Sequence, residues 1–194
     1  RSGGARRMTN RFDLLATAIA DLWVLVRKPL GDRRGTLERM FCAEELEALL
    51  AGRRIVQINR TFTAARGTVR GLHFQHPPHA ELKFVSCLRG EVFDVAADLR
   101  RGSPTFLRWH GEILSGGNHR TLVIPEGFAH GFQALEDGCE MLYFHTAAYE
   151  AGAEGGVNVR DPRLAIAWPL PVCNLSERDA AHPPLAEDFA GVAP

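Results

Sequence analysis

Two histidines stand out as groups that could do chemistry: His73 in Arg70-Gly-Leu-His-Phe-Gln75, and His130 in Ile124-Pro-Glu-Gly-Phe-Ala-His-Gly-Phe132. An imidazole exchanges protons near neutral pH, and burying it among apolar residues is costly unless something satisfies or uses it. Two such histidines in strand-like surroundings point to a pocket that handles protons or binds an anionic ligand. The alternative is a pair of hydrogen-bonded core histidines, and residue type and spacing leave both readings open. Period-two alternation groups Lys83 with Val85 and Cys87, Asp94 with Val92 and Ala96, and Tyr143 with Cys139 and Met141. On an inward face a lysine or aspartate among apolar neighbours calls for a function; on an outward face it is ordinary.

A metal centre is the competing chemistry. His76-Pro-Pro-His79 with Glu81, together with His130, offers donors of the right types. Two strand histidines reach one ion when they share a face, as in His-x-His; positions 76 and 79 have opposite parity and flank a proline turn. The expectation is therefore no metal. Cys42, Cys87, Cys139 and Cys173 contain no CxxC pair and read as free thiols of a reducing compartment, hence a cytoplasmic protein.

The elements that must position these residues are mostly strands. Short runs rich in β-branched and aromatic residues fall at 55–59, 68–75, 82–88, 91–98, 105–111, 120–124 and 139–146. Arg89-Gly90 and Asp137-Gly138 supply hairpin turns, and Gly31-Asp-Arg-Arg-Gly35 is a turn cluster. A short helix is expected over 42–50, and one helical turn within 174–184, with Ser176 as N-cap and Pro183-Pro184 as its stop. This spacing predicts an antiparallel β-sandwich or barrel. No phosphate loop, βαβ rhythm or internal repeat is present, which argues against a Rossmann or P-loop enzyme.

The 194 residues suit one domain with a sizeable core. Lysine plus arginine (23) equals aspartate plus glutamate (23), so no net field favours nucleic acid or a membrane. The apolar stretch 14–26 follows Arg6, Arg7 and Arg11 as in a signal peptide, but Asp21 interrupts it and no small-residue cleavage site follows. It is read as one early strand. Residues before Met8 are set apart as a tag remnant or upstream extension. The expected organisation is an extension over 1–13, a single domain over 14–187 and a tail over 188–194.

Several of these pieces in order resemble the dTDP-4-dehydrorhamnose 3,5-epimerases and related nucleotide-sugar epimerases: Gly31-Asp-Arg-Arg-Gly35, the two histidine stretches, Gly90-Glu-Val-Phe-Asp-Val95, Ser103-Pro-Thr-Phe106, Asp161-Pro162 with Trp168-Pro169, and Leu175-Ser-Glu-Arg-Asp-Ala180. The resemblance implies a cupin-type jelly roll and a homodimer. It matches His73 to the general base, Asp179 to the carboxylate that orients it, and Tyr143 to the acid on the opposite face of the sugar. Lys83 and His130 match pocket residues; Arg34, Gln57, Asn59, Arg70 and Glu154 match contacts to the nucleotide diphosphate; Tyr149 matches an aromatic stacked on the base. The implied substrate is a nucleoside-diphosphate 4-keto-6-deoxy sugar, and moving protons beside its ketone requires no cofactor. Counted without a gap, Arg39 falls where a nucleotide-contacting glutamate is common. The resemblance implies epimerisation at C3 and C5; the alternatives are inversion at C3 alone, ketoisomerisation on the same fold, and a non-catalytic sugar-nucleotide sensor, which would be expected to lose acid or base, whereas both are kept.

Overall fold

Alternating apolar residues need a second layer to bury against, and here two antiparallel sheets supply it for each other. The computed structural model describes residues 6–8 and 10–193. In chain order the elements are β1 (Arg6–Met8), β2 (Phe12–Ala16), β3 (Trp23–Arg27), β4 (Leu30–Asp32), β5 (Gly35–Leu37), α1 (Glu47–Leu50), β6 (Gln57–Thr63), β7 (Val69–Gln75) and β8 (Lys83–Arg89). There follow β9 (Glu91–Asp98), β10 (Trp109–Ser115), β11 (Arg120–Ile124), β12 (Phe128–Ala134), β13 (Cys139–His145), β14 (Glu154–Gly156) and α2 (Glu177–Ala181). One sheet runs β1-β2-β3-β11-β8-β13-β6, the other β10-β9-β12-β7-β14, and β4 pairs with β5 as a separate hairpin. This is the two-sheet jelly-roll architecture of the cupins.

The main core lies between the sheets. Val85 and Cys87 of β8, Leu122 and Ile124 of β11 and Met141 of β13 meet Val92 and Ala96 of β9 and Phe128 and Phe132 of β12. Phe84, on the other face of β8, packs outward with Phe12, Leu46, Leu50 and Phe144 under α1 and its approach. Leu72 and Phe74 of β7 pack outward against Val157, Leu164 and Val192. Packing therefore continues past both ends of 14–187: Phe12 is fully buried, Val192 bridges Arg100, and β1 pairs with β2. Residues 1–5, part of the segment set apart at the N-terminus, lie outside the described residues.

Four elements depart from expectation. The stretch 14–26 is split between two strands by a tight reversal in which Asp21 adopts φ 65°. The helix expected over 42–50 is helical only at Glu47–Leu50, after a turn. The strand expected at 105–111 begins at Trp109, because the buried Asp98 carboxylate accepts bonds from Ser103 Oγ and Thr105 Oγ1 (2.5 and 2.7 Å) and holds the preceding residues in turns. β12 carries no alternation: it is central and buried along its whole length, with His130 and Gln133 buried among its apolar residues. Gly31-Asp-Arg-Arg-Gly35 turns the β4–β5 hairpin.

Candidate active site

Both histidine strands lie side by side in the smaller sheet, with His130 in register with His73. They form one wall of a cleft of about 670 Å³ whose facing wall comes from β6, β8 and β13 of the larger sheet. Three residues apart, Arg70 and His73 would face opposite sides of a regular strand. Between His130 and Phe132 the pairing slips by one residue on β7, and Gly71 takes φ 119°. A bulge of this kind re-aims side chains, and both Arg70 and His73 line the cleft. Gly71 also permits the close strand approach: a Cβ there would lie 2.6 Å from Gly131 Cα.

His73 Nε2 donates to Asp179 Oδ1 at 2.7 Å, and the second carboxylate oxygen accepts Gly71 N–H at 3.1 Å. Burial alone would raise the Asp179 carboxyl, but the bonds from His73 and Gly71 outweigh it and bring it down to about 2. Asp179 is thus a fixed anion that holds Nε2–H and leaves Nδ1 as the basic nitrogen. Ser176 caps α2 by accepting Asp179 N–H at 3.0 Å, so the cap and the dyad share one short helix.

Across the cleft, Lys83 and Tyr143 project from the inner face of the larger sheet, 6% and 9% exposed. Lys83 Nζ pairs with Glu81 Oε1 at 3.1 Å, while Glu81 Oε2 accepts from His145 Nδ1 at 2.7 Å. Burial pushes Glu81 up, yet Lys83 and His145 overcome it and set the acid at about 2, an anion opposite the ammonium. Burial raises the Tyr143 phenol above its ordinary range, so it keeps its proton. His130 is depressed by burial, only partly offset by Asp94, whose two oxygens lie 3.0 Å from Nε2; the ring is held neutral. The His73 imidazole and the Tyr143 phenol therefore stand on opposing sheets, with the Lys83 ammonium on the same wall as the phenol.

Gln57, Asn59, Arg70, His130, Tyr149 and Glu154 all line the cleft. Arg70 is anchored by Thr63 Oγ1 and the Phe62 carbonyl. Gln57 accepts Tyr149 N–H at 3.0 Å, which places that exposed ring at the mouth. Glu154 is already bonded to Tyr149 Oη and Arg178 Nη1, at 3.0 and 2.9 Å. These bonds tie Glu154 to Tyr149 and Arg178 within the cleft wall. Arg34 is not in this cleft: it sits at the tip of the β4–β5 hairpin and pairs with Asp32. Near it, Arg39 pairs with Glu45, whereas Glu38 turns inward to the buried Arg27 at 2.6 Å.

The sequence reading did not assign Arg178, Asp94, His145 or His182. Parity had marked Asp94, and Arg178 adjoins Asp179 in the recognised motif; His145 and His182 carried no local signal. Arg178, over half exposed, lines the cleft with Nη2 3.3 Å from His73 Nε2. The proposed metal donors are scattered. His76 and His79 stay on the turn after β7, Glu81 serves Lys83 and His145, and His130 serves Asp94.

A family model described as dTDP-4-dehydrorhamnose 3,5-epimerase matches residues 16–187. The chain is 42% identical to the dTDP-4-dehydrorhamnose 3,5-epimerase of Salmonella typhimurium over 172 residues, covering 88% of this chain and 93% of that one. It is 38% identical over 170 residues to a dTDP-4-dehydrorhamnose 3-epimerase of Streptomyces niveus, covering 87% and 82%. Among solved structures, a dTDP-6-deoxy-D-glucose-3,5-epimerase from Legionella pneumophila in complex with dTDP-4-keto-L-rhamnose superposes with a TM-score of 0.83. Its identity is 44%, over 88% of this chain and 91% of that one.

Proposed function

The chain belongs to the dTDP-4-dehydrorhamnose 3,5-epimerase family, and from that premise we propose how its cleft inverts C3 and C5 of a dTDP-linked 4-keto-6-deoxy hexose. The enzyme is an isomerase. The observation that carries the mechanism is the placement of a carboxylate-fixed imidazole and a protonated phenol on opposing walls.

Hydrogens beside the ketone are acidic because the enolate spreads their charge onto oxygen. Nδ1 of His73 takes such a proton, and Asp179 stabilises the imidazolium that forms. The Lys83 ammonium, paired with Glu81, faces the developing enolate oxygen. Tyr143 returns a proton from the other side, which inverts the centre. His130, neutral beside His73, packs the sugar without competing for the proton. Arg70 and Arg178 grip the diphosphate, with Gln57 and Asn59 as donors nearby and Tyr149 stacking on the base; binding energy spent there holds the sugar between base and acid. No electrons leave the substrate, so this chemistry calls for no redox partner.

A homodimer is part of the same reading. β6 is the open edge of the larger sheet, and Val56, Ile58 and Phe62 on and beside it are each more than half exposed, as is Leu37 on the hairpin. Such an edge invites a second copy. Arg34, absent from the cleft of its own chain, then serves the partner's. A cytoplasmic setting agrees with four unpaired cysteines; among the described residues no helix is long and apolar enough to cross a membrane.

The test is proton NMR in deuterated water with dTDP-4-keto-6-deoxyglucose. Deuterium entering at both C3 and C5 is the expected result. Exchange at C3 alone restricts the enzyme to one centre, and no exchange at either rejects the reading.

A further inference from the structure

Behind the base stands a histidine that the mechanism does not use. His182 follows Asp179 by three residues at the C-terminal end of α2, so both side chains leave the helix on the side facing β7. Its ring lies edge-on to that of His73, 5.9 Å between centroids. The ring is seated against β14 where only a glycine leaves room: a Cβ on Gly156 would lie 2.1 Å from it. The His182 carbonyl accepts Asn158 Nδ2 at 2.9 Å, which ties down the chain there, yet its Nε2 is buried without a hydrogen-bond partner. A ring nitrogen of His73, one of His182 and a carboxylate oxygen of Asp179 all lie within 4.8 Å of one another. Among the described residues no other trio of such side chains meets this closely.

We propose that His73, Asp179 and His182 form an inhibitory zinc site. Two imidazoles and one carboxylate are a donor set suited to Zn²⁺, and bonds of about 2.0–2.2 Å are reached by a small swing of the side chains. Zn²⁺ takes the place of the proton on His73 Nε2, and that proton moves through solvent to Nδ1, so the ring stays neutral. Nδ1 then carries a proton where the basic lone pair is needed, so the metallated enzyme has no base. Asp179 is pre-oriented for a ligand role by Gly71 N–H on its second oxygen. His73 borders the open cleft, which supplies both the entry path and an open position on the metal.

Metal binding stands on the geometry alone; inhibition rests additionally on His73 being the base. The metal-free full chain is titrated with Zn²⁺ by calorimetry, and with Co²⁺ while visible absorption reports nitrogen ligation. Deuterium exchange at C3 is followed in parallel. The expected result is one ion per chain, exchange abolished at stoichiometric Zn²⁺, and recovery with a chelator. His182→Phe, which preserves the ring packed on Gly156, and His182→Gln should keep basal exchange and weaken Zn²⁺ about tenfold or more. Unchanged affinity in both variants, with folding verified by circular dichroism, overturns the site. Binding that depends on His182 and His73 but leaves exchange intact upholds the site and overturns the base assignment.

Discussion

At the scale of single residues, each wall of the cleft carries a separable task. His73→Ala removes the base and is expected to abolish deuterium uptake at C3. Tyr143→Phe deletes only the proton donor of the opposite wall, so inversion at C5 should fall more than exchange at C3, measured on the same NMR sample. Full exchange and inversion in either variant would refute the assignment. Lys83→Met removes the charge facing the enolate while keeping the stem that fills the wall; kcat should drop about 10²–10³-fold. Affinity for dTDP should be nearly unchanged, because the lysine acts on the sugar and not on the nucleotide. A matching loss in dTDP affinity would move Lys83 from stabiliser to ligand clamp.

At the scale of elements, the bulge in β7 and the five-residue helix α2 do the positioning. Gly71 answers two demands, a positive φ and contact with the backbone of Gly131, so Gly71→Ala is both strained and overpacked. It should lower the denaturant midpoint by the equivalent of about 1–3 kcal/mol. Activity should fall beyond what the folded fraction explains, since Gly71 N–H also holds Asp179. Ser176→Ala removes the cap that seats the dyad, at about 1 kcal/mol of stability. Activity surviving Gly71→Ala undiminished would show that the bulge is not what aims His73. These elements are also where sequence reading was weakest. Strands with one partly exposed face, such as β13, announce themselves by alternation, whereas β12 is buried on both faces and shows none. The onset of β10 is displaced by side-chain bonds to Asp98, a residue outside that segment.

At the scale of the whole molecule, acid is expected to unfold the protein in two stages. Buried His130 has a depressed pKa, so below about 6.5 the unfolded chain binds a proton the native state refuses, and stability falls as pH drops. Asp179 and Glu81, both held at about 2, contribute stability that is complete above the ordinary carboxylate range and is lost as pH falls through it toward 2. Thermal melts from pH 8 to pH 3 should therefore decline first near neutrality and again below pH 5; a flat profile would contradict these native-state bonds. Assembly is tested by subunit mixing. Inactive His73→Ala and Arg34→Ala chains, combined in equal amounts, should regain about a quarter of the wild-type rate if each cleft borrows Arg34 across a two-fold axis. No recovery would return Arg34 to a local role. Taken alone, the sequence determined the class of fold, the run of hairpins and the family, because alternation, turn glycines and ordered motifs are local properties of a chain. Through resemblance it also assigned His73, Asp179, Tyr143 and Lys83 the roles that the mechanism above proposes for them. Only the tertiary structure decided that His73 and Tyr143 face each other from different sheets, that Glu81 serves Lys83 while Glu154 serves Arg178, that Arg34 lies away from its own cleft, and that His182 stands behind the base. Those relations join residues far apart in sequence, and their distances and burial arise only when the two sheets close on one another.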